Sequence, residues 1–271
     1  MTHADSLDLP AHEGVSGWLR ELHRRDPLLS WVGWLHVVLA LAALVLMSVD
    51  GRQITGVNAW VKPFKFCLSI TIYCWTVGWL LEHLRHRPRW ARVLSIGVAV
   101  SMVIEIACIL VQAARGTTSH YNVSSAFDIA VFSTMGNLIA VNTLLAVAML
   151  WLFFRRGTGI ESTYLWGIRA GLCVFLLGSA AGGQMIALGA HTVGAPDGGP
   201  GMPLLDWSRI AGDLRIAHGL GLHALQALPL AGFWLGRAGK PRLFAGFTGL
   251  YVAALAALYL QAMAGIPLLP N

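Results

Sequence analysis

The sequence predicts an all-α protein: a polytopic membrane bundle of seven transmembrane helices, with the N-terminus inside and the C-terminus outside. Three observations carry this. The 271 residues are 56% hydrophobic and only 12% charged, where a soluble domain holds about 25% charged residues. The apolar residues gather into seven runs of roughly 20, the length that crosses a hydrocarbon core of about 30 Å. The basic residues alternate between connections. Arg20, Arg24, Arg25, Arg85, Arg87, Arg89, Arg92, Arg155, Arg156, Arg237, Lys240 and Arg242 fall on one side. Arg52, Arg115, Arg209 and Arg215 fall on the other, with Lys62 and Lys65 at the mouth of the second run. The positive-inside rule makes the first side cytoplasmic. The expected location is a bacterial inner membrane, crossed several times.

Residues 1–28 form a polar leader. Trp18, Leu19 and Leu22 alternate there with Arg20, Arg24 and Arg25, which fits either a short amphipathic helix at the interface or a solvated segment. A single membrane domain of residues 29–264 follows, with spans expected at 29–49, 60–81, 91–114, 126–154, 165–189, 215–236 and 242–264. Most connections are short. The exception, residues 190–214, is rich in Gly and Pro yet keeps Met202, Leu204, Leu205, Trp207 and Ile210, so it reads as a folded periplasmic cap rather than a tether. Residues 265–271 are a periplasmic tail. In the fifth span Gly171, Gly178, Gly182 and Gly189 share one helix face, which lets a neighbouring helix approach closely.

The net charge of +6 is accounted for by topology. No basic patch interleaved with aromatics points to nucleic acid, and the expected partner is the lipid bilayer. Cys67, Cys74, Cys108 and Cys173 all lie within spans, outside any CxxC pattern, and read as small buried apolar groups.

The polar residues inside spans are the functional signal, because ionisable groups at membrane depth are costly. On the third span Ser101, Glu105, Cys108, Gln112 and Arg115 form one stripe rising towards the outer face. The following loop supplies His120, and the fourth span opens with Asp128, where a carboxylate gains from the helix dipole. Lys62 and Lys65 enter from the same side. So do Gln184 and His191, the sixth-span residues Arg215, His218 and His223, and Gln261 of the last span. The inner half has only His36, Arg169, Asn137 and Asn142. The expectation is one polar pocket open to the periplasmic side.

Three chemistries fit such a pocket. The first is a redox role with a bound haem or transition metal. His218 and His223 are five apart, so on a regular helix they diverge by about 140° and rise about 7.5 Å, which does not suit one small ion. No HxxxH or HExxH motif occurs. A metal would need ligands from separate segments, drawn from His120, His191, His223, Glu105 and Asp128. A haem would take His223 as axial ligand, with His218, His120 or His191 as partner. Lys62, Lys65, Arg115 and Arg215 would then meet its propionates. The second chemistry is transport or sensing of a small anionic or amphiphilic ligand by those same cations, coupled to protons through histidine. The third is a metal-dependent intramembrane lipid hydrolase. The alkaline ceramidase and adiponectin-receptor group also has seven spans, and the series Ser119, His120, Ser124, Asp128, His218, His223 is similar in kind to its polar set. Its spacing of serine and histidine within a span is not met here, and no catalytic role is carried over.

The stretches WVKPFKF (60–66), QAARGTTSHYN (112–122), GAHTVGAPDGGPGMP (189–203) and GDLRIAHGLGLHALQ (212–226) resemble those of a family of bacterial multi-span inner-membrane proteins usually described as uncharacterised. The resemblance covers most of residues 29–264. It implies a site on the outer side built from those segments, and no particular activity or cofactor.

Overall fold

A computed structural model describes residues 14–155, 159–203 and 205–269. The first 13 residues of the expected leader, Arg156, Leu204 of the expected cap and residues 270–271 of the tail lie outside them. The described chain is all-α apart from four two-residue strands. Helix α1 spans Gly14–Arg25, α2 Pro27–Val49, α3 Val61–Leu81 with a 3-10 turn to Leu84, α4 Pro88–Arg115 and α5 Ala126–Phe154. They are followed by α6 Ser162–Leu188, α7 Leu214–Arg237 and α8 Pro241–Met263. Strands β1 (Gln53–Ile54) and β2 (Val57–Asn58) join α2 to α3, and β3 (Thr192–Val193) pairs antiparallel with β4 (Gly212–Asp213).

Six helices among the described residues are long and apolar enough to cross a membrane: α2, α3 with its turn, α4, α5, α6 and α8. The chain is a multi-pass membrane protein. The 24-residue α7 is not among the six, because Arg215, His218, His223, Gln226 and Arg237 interrupt its apolar character. Helix ends depart from the expected span ends by up to three residues. The reason is capping: prolines at Pro27, Pro88 and Pro241 start helices ahead of the first apolar residue, since proline lacks only an N–H that the first turn leaves unpaired anyway.

The chain divides into two compact units, residues 1–54 with 58–160 and residues 55–57 with 161–271. In the first, α1 packs on the bundle through aromatic rings. Trp18 lies 5.7 Å from Trp75 and stacks at 6.2 Å on Trp79, and the Arg25 guanidinium sits 3.8 Å over the Trp79 ring. Asp26 then starts α2 by accepting from the Leu29 N–H at 2.9 Å. The same carboxylate accepts from Ser95 Oγ of α4 at 3.0 Å.

In the second unit α6 and α7 meet along facing glycines. A Cβ built on Gly178 would come within 2.7 Å of the Gly221 backbone, one on Gly171 within 2.9 Å of Ala224 O, and one on Gly182 within 2.9 Å of His218. Gly167 and Gly232 repeat the approach near the start of α6. Backbones this close gain dispersion contacts that larger residues would forbid. Gly189 acts differently, ending α6 in the left-handed region at φ 65°. Val174, Ala217, Ala224, Leu228 and Leu255 complete this core with α8.

Candidate functional site

The first unit builds its polar cluster at the end where α3 begins, α4 ends and α5 begins. Gly116 terminates α4 at φ 72°, where only glycine is at ease, and the Thr117 N–H returns to Gln112 O at 3.1 Å. The loop to α5 is tied by Asn122, whose side chain donates to Thr117 Oγ1 and Thr118 O and accepts from the Ser124 N–H. Ser125 caps α5.

Within that frame His120 is held from several sides. Its Nδ1 lies 3.0 Å from Lys62 Nζ and 3.1 Å from Ser119 Oγ. An ammonium can only donate, so Nδ1 is the acceptor and the ring proton sits on Nε2. That Nε2 points towards Glu105 Oε1, 4.0 Å away. Phe66, Tyr121 and Phe132 surround the ring with centroids 5.9, 6.0 and 6.3 Å from it. Tyr121 adopts φ 58°, a backbone strained for a bulky side chain and found preferentially at functional positions. Glu105 is only 2% exposed, and its Oε2 has no hydrogen-bond partner among the described residues. Lys65 is half-buried one turn along α3 from Lys62.

Asp128 belongs to a neighbouring network. It accepts from Gln112 Nε2 at 2.8 Å, from Ser125 Oγ at 2.6 Å and from Arg115. Arg115 also donates to Gln112 Oε1 and lies 4.5 Å over the Phe127 ring. Arg115 is therefore committed to a carboxylate on its own unit. Next to α3, Asp50 accepts from Arg52 and from Trp60 Nε1, which hold its carboxyl well below the usual range.

In the second unit the expected site residues are spread along the cap and α7. The segment between α6 and α7 is folded on carboxylates. Asp197 accepts from the His191 and Thr192 N–H groups, and its Oδ1 lies 3.1 Å from His191 Nδ1. Asp213 accepts from the Ser208 N–H at 2.8 Å and from Arg215, and Arg215 also reaches Asp206. Burial holds the His191 imidazole below its usual range, helped by the Arg215 charge and opposed by Asp197. Burial works against the Asp213 charge, yet its bonds from Arg215 keep it below the usual carboxylate range. His218 turns towards α6, its Nδ1 2.8 Å from Gly178 O. His223 lies on an exposed face of α7, 3.3 Å from Gln226 Oε1.

Lys62, Glu105 and His120 thus meet in the first unit, Arg115 and Asp128 pair beside them, and His191, Arg215, His218 and His223 lie in the second unit without sharing a centre. Among the described residues no three His, Cys, Asp or Glu side chains are grouped to hold a metal ion. Sequence reasoning missed the aromatic ring of Phe66, Tyr121 and Phe132, because its members come from three elements and share no spacing. It also missed Asp197, Asp206 and Asp213 as the partners of His191 and Arg215. No family model, curated protein or solved structure matches the chain.

Proposed function

We propose that this membrane protein binds a small anion with an apolar body, such as an aromatic or aliphatic carboxylate, at Lys62 and His120, and takes up a proton at the His120–Glu105 pair as it does so. The observation that carries the proposal is the placement of a buried carboxyl with an unpartnered oxygen beside an imidazole whose other nitrogen meets an ammonium. Lys62 supplies the charge for an anion, and Phe66, Tyr121 and Phe132 supply apolar walls. An anion that draws the Lys62 ammonium to itself leaves Nδ1 without that donor. The ring then accepts a proton, and the imidazolium pairs with the Glu105 carboxylate, whose Oε2 is otherwise buried without a partner among the described residues. The asymmetry of basic residues supports α7 as a seventh span, a cytoplasmic N-terminus and a periplasmic vestibule in a bacterial inner membrane. The role is that of a sensor or transporter.

Titration of the detergent-purified protein with benzoate, and separately with inorganic phosphate, tests this. Benzoate binds in preference to phosphate, and Lys62→Met or His120→Ala weakens the binding by about tenfold or more. Equal binding by both variants and the native chain contradicts the proposal.

One observation favours a second reading, a haem-binding redox protein. His218 directs Nδ1 at the Gly178 carbonyl, the arrangement that orients an axial imidazole and leaves Nε2 for a metal. A Soret band in the absorption spectrum that disappears in His218→Ala would select it.

A further inference from the structure

Exposed helix faces in the first unit are of two kinds. On α4 the exposed positions Val93, Ile96, Val100 and Ile104 are large and apolar, as contact with lipid requires. On α5 the exposed face reads Ala130, Ser133, Asn137, Ala140, Leu144 and Val147. Spacings of three and four alternate along it, the a and d pattern by which two helices pack side by side. Met135, Asn142 and Met149 are buried on the opposite side of the helix.

The two carboxamides of α5 differ in their surroundings. Asn142 is buried and accepts from the Tyr73 hydroxyl of α3 at 3.0 Å. Asn137 is exposed, and its side chain makes no hydrogen bond among the described residues. Thr76 and Thr143 satisfy their hydroxyls on their own helices, at Ile72 O and Ile139 O. Helix α5 has 29 residues, about 43 Å of rise against about 30 Å of hydrocarbon. Asn137 stands about 17 Å from the Ala126 end, at membrane depth. Lipid offers it neither donor nor acceptor, and an unmet amide there is costly.

What can cover Asn137 follows from how a membrane protein inserts. All copies of a chain enter in one orientation, so two copies related by a two-fold axis along the membrane normal bring the same residue to the same depth. A carboxamide both donates and accepts, so Asn137 is its own complement, whereas an unrelated partner would need a polar group at that same level. Ala130, Ser133 and Ala140 around it are small enough for two backbones to approach. A single polar residue in an otherwise apolar seam also fixes register and the number of helices. We infer that the chain forms a parallel homodimer in the membrane through α5, with the Asn137 side chains of the two copies hydrogen-bonded to each other.

Energy transfer between copies of the full chain, labelled with donor or acceptor at the carboxyl terminus in phosphatidylcholine vesicles, tests it. Over a series of protein-to-lipid ratios the native chain should dimerise. Asn137→Leu should need about tenfold higher protein density to do so, and Asn137→Gln, which keeps a carboxamide, should associate nearly as the native chain does. In a chain with Cys67, Cys74, Cys108 and Cys173 replaced by alanine, oxidation should join copies through Ser133→Cys or Leu144→Cys and not through Val100→Cys on α4. Unchanged association in Asn137→Leu overturns the dimer seam, as do cross-links through Val100→Cys in place of Leu144→Cys. A native chain that stays monomeric at every density also overturns it, and leaves the face to lipid or to another protein.

Discussion

His120 Nε2 stands 4.0 Å from Glu105 Oε1, too far for a direct hydrogen bond and close enough for a strong ion pair once the ring is protonated. The Lys62 ammonium lies on the opposite nitrogen, where it can donate only to a neutral ring. In the proposed scheme, drawing Lys62 away frees Nδ1 to take a proton.

Lys62→Met should therefore preserve the fold and weaken benzoate binding by at least about tenfold, the loss of one charge-assisted contact. Binding to the native protein should tighten as pH falls from 8 to about 6, because a complex that takes up a proton is favoured by acid. Calorimetric titrations across that range check both statements.

Glu105→Gln should cost no stability. A buried carboxyl with an unpartnered oxygen carries a desolvation penalty of about 1–3 kcal/mol, so its removal is expected to raise the unfolding temperature in detergent while abolishing the pH dependence of benzoate binding. A lowered unfolding temperature would assign Glu105 to bracing the helices instead.

The α6–α7 seam predicts a contrast between glycines. Gly178→Leu drives a side chain into the Gly221 backbone and should destabilise by about 1–3 kcal/mol or more. Gly183→Ala and Gly219→Ala, with nothing within 4 Å of the new Cβ, should be neutral or stabilise by up to about 1 kcal/mol. Thermal unfolding of the three variants separates close packing from simple helix propensity.

The cap predicts a pH effect of definite sign. The folded state holds His191 below the ordinary imidazole value of 6.5, so the unfolded segment binds more protons between those two values. The contribution of His191 is fully present above about pH 6.5 and is lost as pH falls towards the lower folded value. Hydrogen exchange of the 191–213 amides, corrected for intrinsic rates, should accelerate between pH 7 and pH 5 in the native chain and less so in His191→Gln.

Much of the fold is legible in the sequence. Runs such as 126–154 are long and apolar enough to cross a membrane despite Asp128, Asn137 and Asn142, and the loop prolines and glycines mark their ends. The α7 segment is harder, because Arg215, His218 and His223 make it read as both span and site. At the site, Lys62 and Glu105 stand out as charges in apolar surroundings, and His120 as the imidazole of the polar loop that follows. Their partners do not. Phe66 and Phe132 look like any lipid-facing aromatics until α3 and α5 are placed around the loop. The carboxylates that engage Arg115 and Arg215 depend on turns whose geometry spacing does not encode.

In the proposed scheme anion binding and proton uptake are one event at His120 and Glu105. Calorimetry of benzoate binding at pH 7 in two buffers of different ionisation enthalpy measures that coupling directly. Uptake of about one proton per benzoate is expected in the native chain, and close to none in Glu105→Gln. Binding without proton uptake in the native chain, or the same uptake in Glu105→Gln, would contradict it.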